Sequence, residues 1–593
     1  VDTYKVAGGD GAARKAAGRD AGVVQLLHRM DRPGLHSLAT CVVDFLGSRM
    51  VAQSIIPGIL HGDHRRKLTY GAVEPGSEVV RTEEVHAMVE DVFGRELHVA
   101  TRKLPAVPIL RREGAPPLAA PDAEGEKASA RPPATTVEIC GPLEAKGIVG
   151  VDDRNYVLDV TRVTPRDANW VPAAAGGTGC WEAAEEGQRR PKNVPESLED
   201  DEWTMAVLRP ELVAAYINEE MTKWNDARKK ERTAETEKTE EGATATAKED
   251  EGATAKTEEG AAPTAKTEEG ATATAKAKEG EVAGEAVPPP KKMDAAEEAK
   301  AEKESQDHLA SLALNVNVFL NNLPYVVTMD EDTDAEAYQQ LQKDEERVRK
   351  ISRYLYEEVI PTLTKDIRNS SGNLVPIDGV SLTQMLHSRG INCRYLGQLA
   401  SLAHIEEEKD NKTLQLMNRG DILPGSGEIP RRSMPQSWLE MLEMEMVARA
   451  SNHVLNSYLS ESNGSVALQP AITIAAFLSA IASTGEESAA ETDVRLNGAR
   501  SDRDRPFDLS DLTVPGAGGR GTGVPPMTRS RAQMWRDLES EVGRRFRYRL
   551  SLYGPSAASP RRGALLPLVR RVCLRNGVRL RARNYAFAPP APV

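Results

Sequence analysis

Residues 144–170 read EAKGIVGVDDRNYVLDVTRVTPRDANW, and the fold of the first third of the chain turns on them. Lys146 to Val149 and Asn155 to Val160 are short, β-rich runs. Asp152 and Asp153 between them suit a tight turn, because short acidic side chains bond their own backbone and tolerate left-handed angles. The stretch therefore predicts a β-hairpin. Pro165 lacks the N–H that a ladder needs and ends the extension of the second strand, and Trp170 follows as a large apolar anchor.

On the amino-terminal side, residues 1–30 are Gly, Ala and charge and are expected to be a frayed start. A second hairpin is predicted where Val42, Val43 and Phe45 and then Met50, Val51, Ile55 and Ile56 flank Gly47-Ser48, closed by Pro57-Gly58. Val85, Met88, Val89 and Val92 recur by three and four and predict a short helix over 82–93. Residues 111–133 and 173–202 read as loop inserts, and Leu208, Leu212 and Tyr216 with Val213, Ile217 and Met221 predict a helix over 205–224. Hairpins beside helices, with no βαβ repeat, make residues 31–225 an α+β domain.

Beyond it, 226–308 is built from KTEEGATATAK-like units without the apolar surface that offsets ordering entropy, and it is expected to be a disordered linker. Residues 309–485 predict an all-α domain. One helix carries Val348, Ile351, Leu355 and Val359 and halts at Pro361; another starts near Leu382, stops at Gly390 and is followed by one from Arg394. Helical periods continue over 438–459 and 468–481. A second disordered linker over 486–527 leads to a small basic unit at 528–588, with helices over 535–546 and 565–574 and a strand-like run to Phe587; 589–593 is a tail.

Bulk numbers bound the function classes. A chain of 593 residues is too long for one core, and 4% aromatic content with a mean hydropathy of −0.47 means that much of it is not packed interior. The net charge of −13 hides an asymmetry, with glutamate crowding 231–304 and arginine dominating 529–583. Cysteines 41, 140, 180, 393 and 573 form no CxxC, which fits a reduced, cytoplasmic protein without a zinc module. The longest apolar run, 471–481, is far short of a membrane span, so no membrane insertion is expected.

Three separated stretches, VVDFLGSRMVAQSIIPGIL (42–60), KGIVGVDDRNYVLDVTRVTPRDANW (146–170) and DGVSLTQMLHSRGINCRYLG (378–397), together resemble the clustered mitochondria (CLU) protein family, particularly its plant-type members. LRPELVAAYI (208–217), NVNVF (315–319), RASNHVLNSYL (449–459) and LVRRVCLRNGVRLRARNYAF (568–587) fit the same order. The resemblance implies a cytosolic protein that binds messenger RNAs for mitochondrial proteins and keeps mitochondria properly distributed, reaching the mitochondrial outer surface indirectly. It also implies association with the translation machinery, through eukaryotic initiation factor three. The family's ubiquitin-like domain and tetratricopeptide repeats have no counterpart between Val1 and Val593, so the chain is expected to be a fragment.

The basic unit holds the candidate RNA contacts. Arg544, Arg545, Arg547 and Arg549 interleave with Phe546 and Tyr548, and Arg570, Arg571, Arg575, Arg579, Arg581 and Arg583 follow. Guanidinium groups neutralise phosphates and stack on unpaired bases, and aromatic rings supply stacking platforms. The competing reading is a solvated charged face with Phe546 in the core.

Other motifs carry less. His61 and His64 with Asp63 lack a third ligand and neighbour Arg65, Arg66 and Lys67, which repel a cation. Gly516, Gly518 and Gly521 match a dinucleotide spacing, but prolines flank them where a strand and a helix are required. The helices around Gly390, the second bearing Arg394, Tyr395 and Gln398, read as a packed αα-hairpin rather than a DNA reader, because Leu396, Leu399 and Leu402 must be covered. Lys146, Asp152, Asp153 and Asp159 come without a phosphate loop or a nucleophile elbow, so no catalysis and no cofactor are expected. The fold class is an α+β CLU domain followed by an all-α helical domain, with long disordered linkers. The function the resemblance implies is RNA-linked control of mitochondrial distribution, against the alternative of a scaffold on the initiation factor without RNA contact.

Overall fold

The computed structural model describes residues 9–58 except 46, 68–72, 78–105, 136–181 except 143 and 161, 203–247 except 204, 295–319, 331–419 except 371, 434–462, parts of 473–481, 531–554 and 565–579. The predicted hairpin is present as β8 (Lys146–Val149) and β9 (Asn155–Leu158), antiparallel with Ile148 opposite Tyr156. Asp153 adopts φ +55° in the turn, as the acidic pair requires. Side chains alternate across the pleat, so the hairpin serves two cores. Val157 enters a cluster with Val85, Val89, Phe93 and Cys140, while Ile148 and Tyr156 pack with Leu38 and Ile56.

The hairpin is the middle of a five-stranded sheet ordered β1-β9-β8-β4-β5, with β1 (Leu35–Ser37) parallel to β9 and β4 (Leu68–Gly71) and β5 (Val80–Arg81) antiparallel to their neighbours. The second predicted hairpin is β2 (Thr40–Phe45) with β3 (Ser48–Gln53), and a third pairs β6 (Arg102–Pro105) with β7 (Thr136–Ile139). The predicted 82–93 helix is α2 (Glu83–Val89), which widens into a π-helical turn at Glu90–Glu96.

The frayed start is corrected. Residues Gly9–Met30 form helix α1, whose Val23 enters the sheet core and whose Ala16 and Ala17 are buried. Alanine is the best helix former, and small side chains permit close packing without a long apolar stripe, which is why the segment reads as featureless.

The linker is also corrected at both ends. Helix α3 (Pro210–Ala247) starts later than expected and runs on through the first repeats, and α4 (Ala295–Leu312) occupies the last part of the expected disorder. Ala, Glu and Lys propagate a helix already nucleated by an apolar face. Residues 217–311 form a compact unit of their own, in which Trp224 stacks on His308 at 4.9 Å and Arg228 pairs with Glu304. The repeats at 248–294 lie outside the described residues.

The α+β and helical regions, expected as separate domains, form one compact unit of residues 1–216 and 312–593. Val316 joins the sheet cluster, Leu314 bridges to Val99, and Arg102 clasps the buried Asp344 with two bonds of 2.6 and 2.8 Å. Helix α5 (Glu331–Tyr354) passes through a π-helical turn at Leu355–Val359 into α6 (Ile360–Asn369). Pro361 does not halt it. The wider π-helical turn just before it accommodates a residue that has no N–H to give.

Helix α7 (Gly379–Ser388) begins with a capping box in which Asp378 accepts from Val380 and Ser381. Gly390 ends that turn at φ +72°, and a Cβ there would lie 2.5 Å from Leu212 Cα, so glycine is needed for angle and space alike. Helices α8 (Leu396–Arg419), α9 (Gln436–Ser462), α10 (Arg531–Phe546) and α11 (Leu565–Arg575) complete the helical half around α9. Trp438, Leu442, Met446 and Val447 of α9 are fully covered. Described residues 578–579 are not strand, and the rest of that expected strand lies outside the described residues. Among the described residues no helix is long and apolar enough to cross a membrane.

Candidate nucleic-acid interface

Helix α10 buries Leu538, Val542 and Phe546, spaced by four, and so turns Arg544 and Arg545 of its last turn toward its flank. Cations there suit the helix dipole. Both are claimed by Glu541 one turn earlier: Arg544 makes hydrogen bonds of 2.8 and 3.0 Å to it, and Arg545 Nη1 lies 3.8 Å away. Burial lowers the Arg545 pKa to about 10.

Arg547 takes φ +54°, and its N–H bonds to the Gly543 carbonyl at 3.0 Å, a left-handed helix stop. The turn drives its side chain inward, where its guanidinium lies 5.3 Å from the centre of the Trp170 ring. Arg394 lies 5.2 Å from the same ring. The anchor at the end of the opening hairpin stretch is thus flanked by cations from α10's end and from the turn before α8. Such contacts gain when desolvated.

Tyr548 is fully buried, with its hydroxyl 2.8 Å from both Glu443 Oε1 and His404 Nε2. Glu443, equally buried, also accepts from the N–H groups of Ser551 and Leu552 at 3.0 and 2.9 Å and from the Ser551 hydroxyl. On α11 the buried face is Leu568, Val569 and Val572, and Arg571 and Arg575 reach back to Glu445 of α9, which Arg449 also binds at 2.7 Å. Burying these carboxylates is tolerable because several donors converge on each.

The expected contact set therefore divides. Phe546, Arg547 and Tyr548 are interior, so neither ring is a platform for bases. Arg544, Arg545, Arg571 and Arg575 are bound to carboxylates. Arg549, Arg570 and Arg579 are exposed, and Arg581 and Arg583 lie outside the described residues. The alternation of charge and aromatic that suggested RNA comes from a chain leaving a helix in a left-handed turn, with Phe546 and Tyr548 packed beneath it. Glu443 and Glu445 were the missed partners. Their signal is WLEMLEMEMVARA at 438–450, a helix apolar on every side, in which a carboxylate has to be paired.

The remaining motifs resolve as structure. Lys146 Nζ lies 2.8 Å from Asp159 at the base of the hairpin, whereas Asp152 accepts from the Tyr156 hydroxyl at 2.8 Å at its tip, so these groups do not share a site. Arg166 is buried and bonds the Phe319 carbonyl. Tyr395 and Gln398 are buried, as a packed αα-hairpin requires. Among the described residues no His, Cys, Asp and Glu group could hold a metal ion, and 61–64 and 516–521 lie outside them.

Two family models match the chain. The one described as Clustered mitochondria covers residues 1–170, which takes in helix α1, and the one described as Translation initiation factor eIF3 subunit 135 covers residues 373–587, from α7 through α11. Clustered mitochondria protein homologs of Botryotinia fuckeliana, Sclerotinia sclerotiorum and Coccidioides immitis are 32%, 30% and 28% identical to it. These alignments take in 100%, 99% and 99% of the chain and 38%, 37% and 35% of the relatives. The chain thus spans little more than a third of the length of the curated relatives it matches. No solved structure matches it. With CLU motifs in order, a matching amino-terminal model and relatives aligned along its whole length, the chain is similar to the clustered mitochondria (CLU) protein family.

Proposed function

We propose that this chain acts as a cytoplasmic, non-catalytic protein in the distribution of mitochondria, and that it acts at the translation machinery. The observation that carries this is the union, in one compact unit, of residues matched by the CLU model and residues matched by an initiation factor subunit model. Asp167 and Asn169, at the end of the CLU match, both bond the hydroxyl of Tyr395 inside the other match. A body that joins the two signatures through its core is suited to couple an organelle-positioning role to initiation factor three.

Messenger RNA for mitochondrial proteins is the second partner of this reading, with contact to the mitochondrial outer surface made indirectly. Exposed Arg549, Arg570 and Arg579 supply the charge for phosphate contact. Affinity capture of the protein, followed by quantification of initiation factor three subunits with and without nuclease treatment, tests both. Capture that survives nuclease supports a direct scaffold; capture that nuclease abolishes supports a link through RNA. No enrichment of initiation factor subunits in either arm removes the translation half of the proposal.

A further inference from the structure

A cavity of about 210 Å³ lies where α1 meets the 392–394 turn and the end of α10. Lys15, Arg19, Arg394, Arg449 and Arg545 line it, together with Asn392, Phe546 and Met205, and among the described residues no carboxylate does. Arg449 is held from behind by Glu445 and Arg545 by Glu541, acids outside the lining, and Arg394 lies over the Trp170 ring and feels the Asp167 carboxylate. Arg19 has a different setting. Burial and then the guanidinium groups of Arg394, Arg162 and Arg166, all cations, lower its pKa to about 9. Like charges gathered around a partly desolvated space repel one another, and an anion placed among them relieves that repulsion while gaining forked hydrogen bonds.

We propose that this cavity is a binding site for a small phosphorylated ligand, which presents one or two phosphate groups to Lys15, Arg19, Arg394 and Arg545. Planar guanidinium forks match phosphate oxygens two at a time, which favours phosphate over a single-point anion such as chloride. The volume favours a small ligand over a nucleic-acid strand. It equals the space of a handful of waters, enough for a phosphate or a diphosphate but not for consecutive nucleotides. Because α1, the 392–394 turn and α10 come from distant parts of the sequence, an occupant would tie them together and stabilise the fold by mass action. The site is separate from Arg549, Arg570 and Arg579, so it stands or falls apart from the RNA reading.

The test is thermal unfolding of the protein titrated with inorganic pyrophosphate and inorganic phosphate, against sodium chloride at matched ionic strength to remove general screening. The expected result is a saturable rise in Tm with pyrophosphate, smaller with phosphate and absent with chloride. Arg19→Gln and Lys15→Gln, each checked for native unfolding cooperativity without ligand, should weaken the apparent affinity about tenfold or more. A pyrophosphate response no larger than that of chloride, or one unchanged in a folded Arg19→Gln protein, overturns the site. In a parallel arm, single-stranded RNA without a terminal phosphate should leave pyrophosphate binding unaltered. Competition by that RNA would overturn the small-ligand assignment.

Discussion

The hydroxyl of Tyr395 donates a 2.7 Å hydrogen bond to Asp167 Oδ2, joining the end of the hairpin stretch to the turn that begins α8. Asn169 Nδ2 meets the same hydroxyl at 3.0 Å and the Ser352 carbonyl at 2.6 Å, and the Ala168 N–H reaches the Ser352 hydroxyl at 3.0 Å. Burial pushes the Asp167 carboxyl up to about 6, so it is mostly ionised at pH 7 and depends on the Tyr395 hydroxyl and on the Asn169 N–H, which lies 3.1 Å from its Oδ1.

Tyr395→Phe keeps the ring and removes the hydroxyl. It should lower unfolding free energy at pH 7 by about 2–4 kcal/mol, the cost of leaving a buried carboxylate short of a donor. Urea titrations should show a smaller loss at pH 5, where Asp167 is mostly protonated. An equal loss at the two pH values would contradict the role given to this bond.

Glu443→Gln puts an amide NH2 where four donor contacts now converge, from Tyr548, the Ser551 N–H and hydroxyl, and the Leu552 N–H. About 2–4 kcal/mol of destabilisation is expected, since one amide oxygen cannot serve them all. Limited proteolysis should find new cleavage around 548–554 before the rest of the helical half opens.

Charge reversal separates the surface arginines from the buried ones. Arg549, Arg570 and Arg579 changed together to glutamate should leave Tm nearly unchanged, weaken ultraviolet crosslinking to RNA and flatten its salt dependence. Arg547→Glu should instead unfold the carboxy-terminal helices, because it buries an anion beside Trp170. Undiminished crosslinking in the folded triple variant would place RNA contact elsewhere.

Acid stability should report on His387, whose Nε2 lies 3.6 Å from the Cys393 sulfur and whose pKa is lowered to about 4 by burial and then by the cation Arg209. Between about pH 6.5 and 4 the unfolded chain takes up a proton that the folded chain does not, so this contribution to stability is full above 6.5 and lost as pH falls, at up to about 1.4 kcal/mol per unit. Asp167 acts in the opposite sense over part of that window. Its proton is held in the folded state and released in the unfolded one, so its contribution declines as pH rises toward 6. Subtracting the His387→Gln pH profile from that of the unchanged protein isolates the imidazole, and the difference should grow as pH falls from 6.5 to 4.

Local chemistry was legible in the sequence alone. The hairpin around Asp152-Asp153, the Gly390 stop and the apolar stripes of α10 and α11 follow from short-range rules: turn residues, capping, periods of two and of 3.6. The CLU motifs were legible as a resemblance. What occupies the far side of each face was not legible, because periodicity says that a face is buried and not against what. Only the tertiary structure set Glu445 against Arg571 and Arg575 and Glu443 against Tyr548, and so tied part of an expected RNA surface into the interior. Only there does Trp170 sit beside Arg394 and Arg547, and only there does Asp167 find Tyr395, more than two hundred residues away. A side chain's partner across such a separation is chosen by the packing of whole elements, and that packing placed the two family signatures in one body.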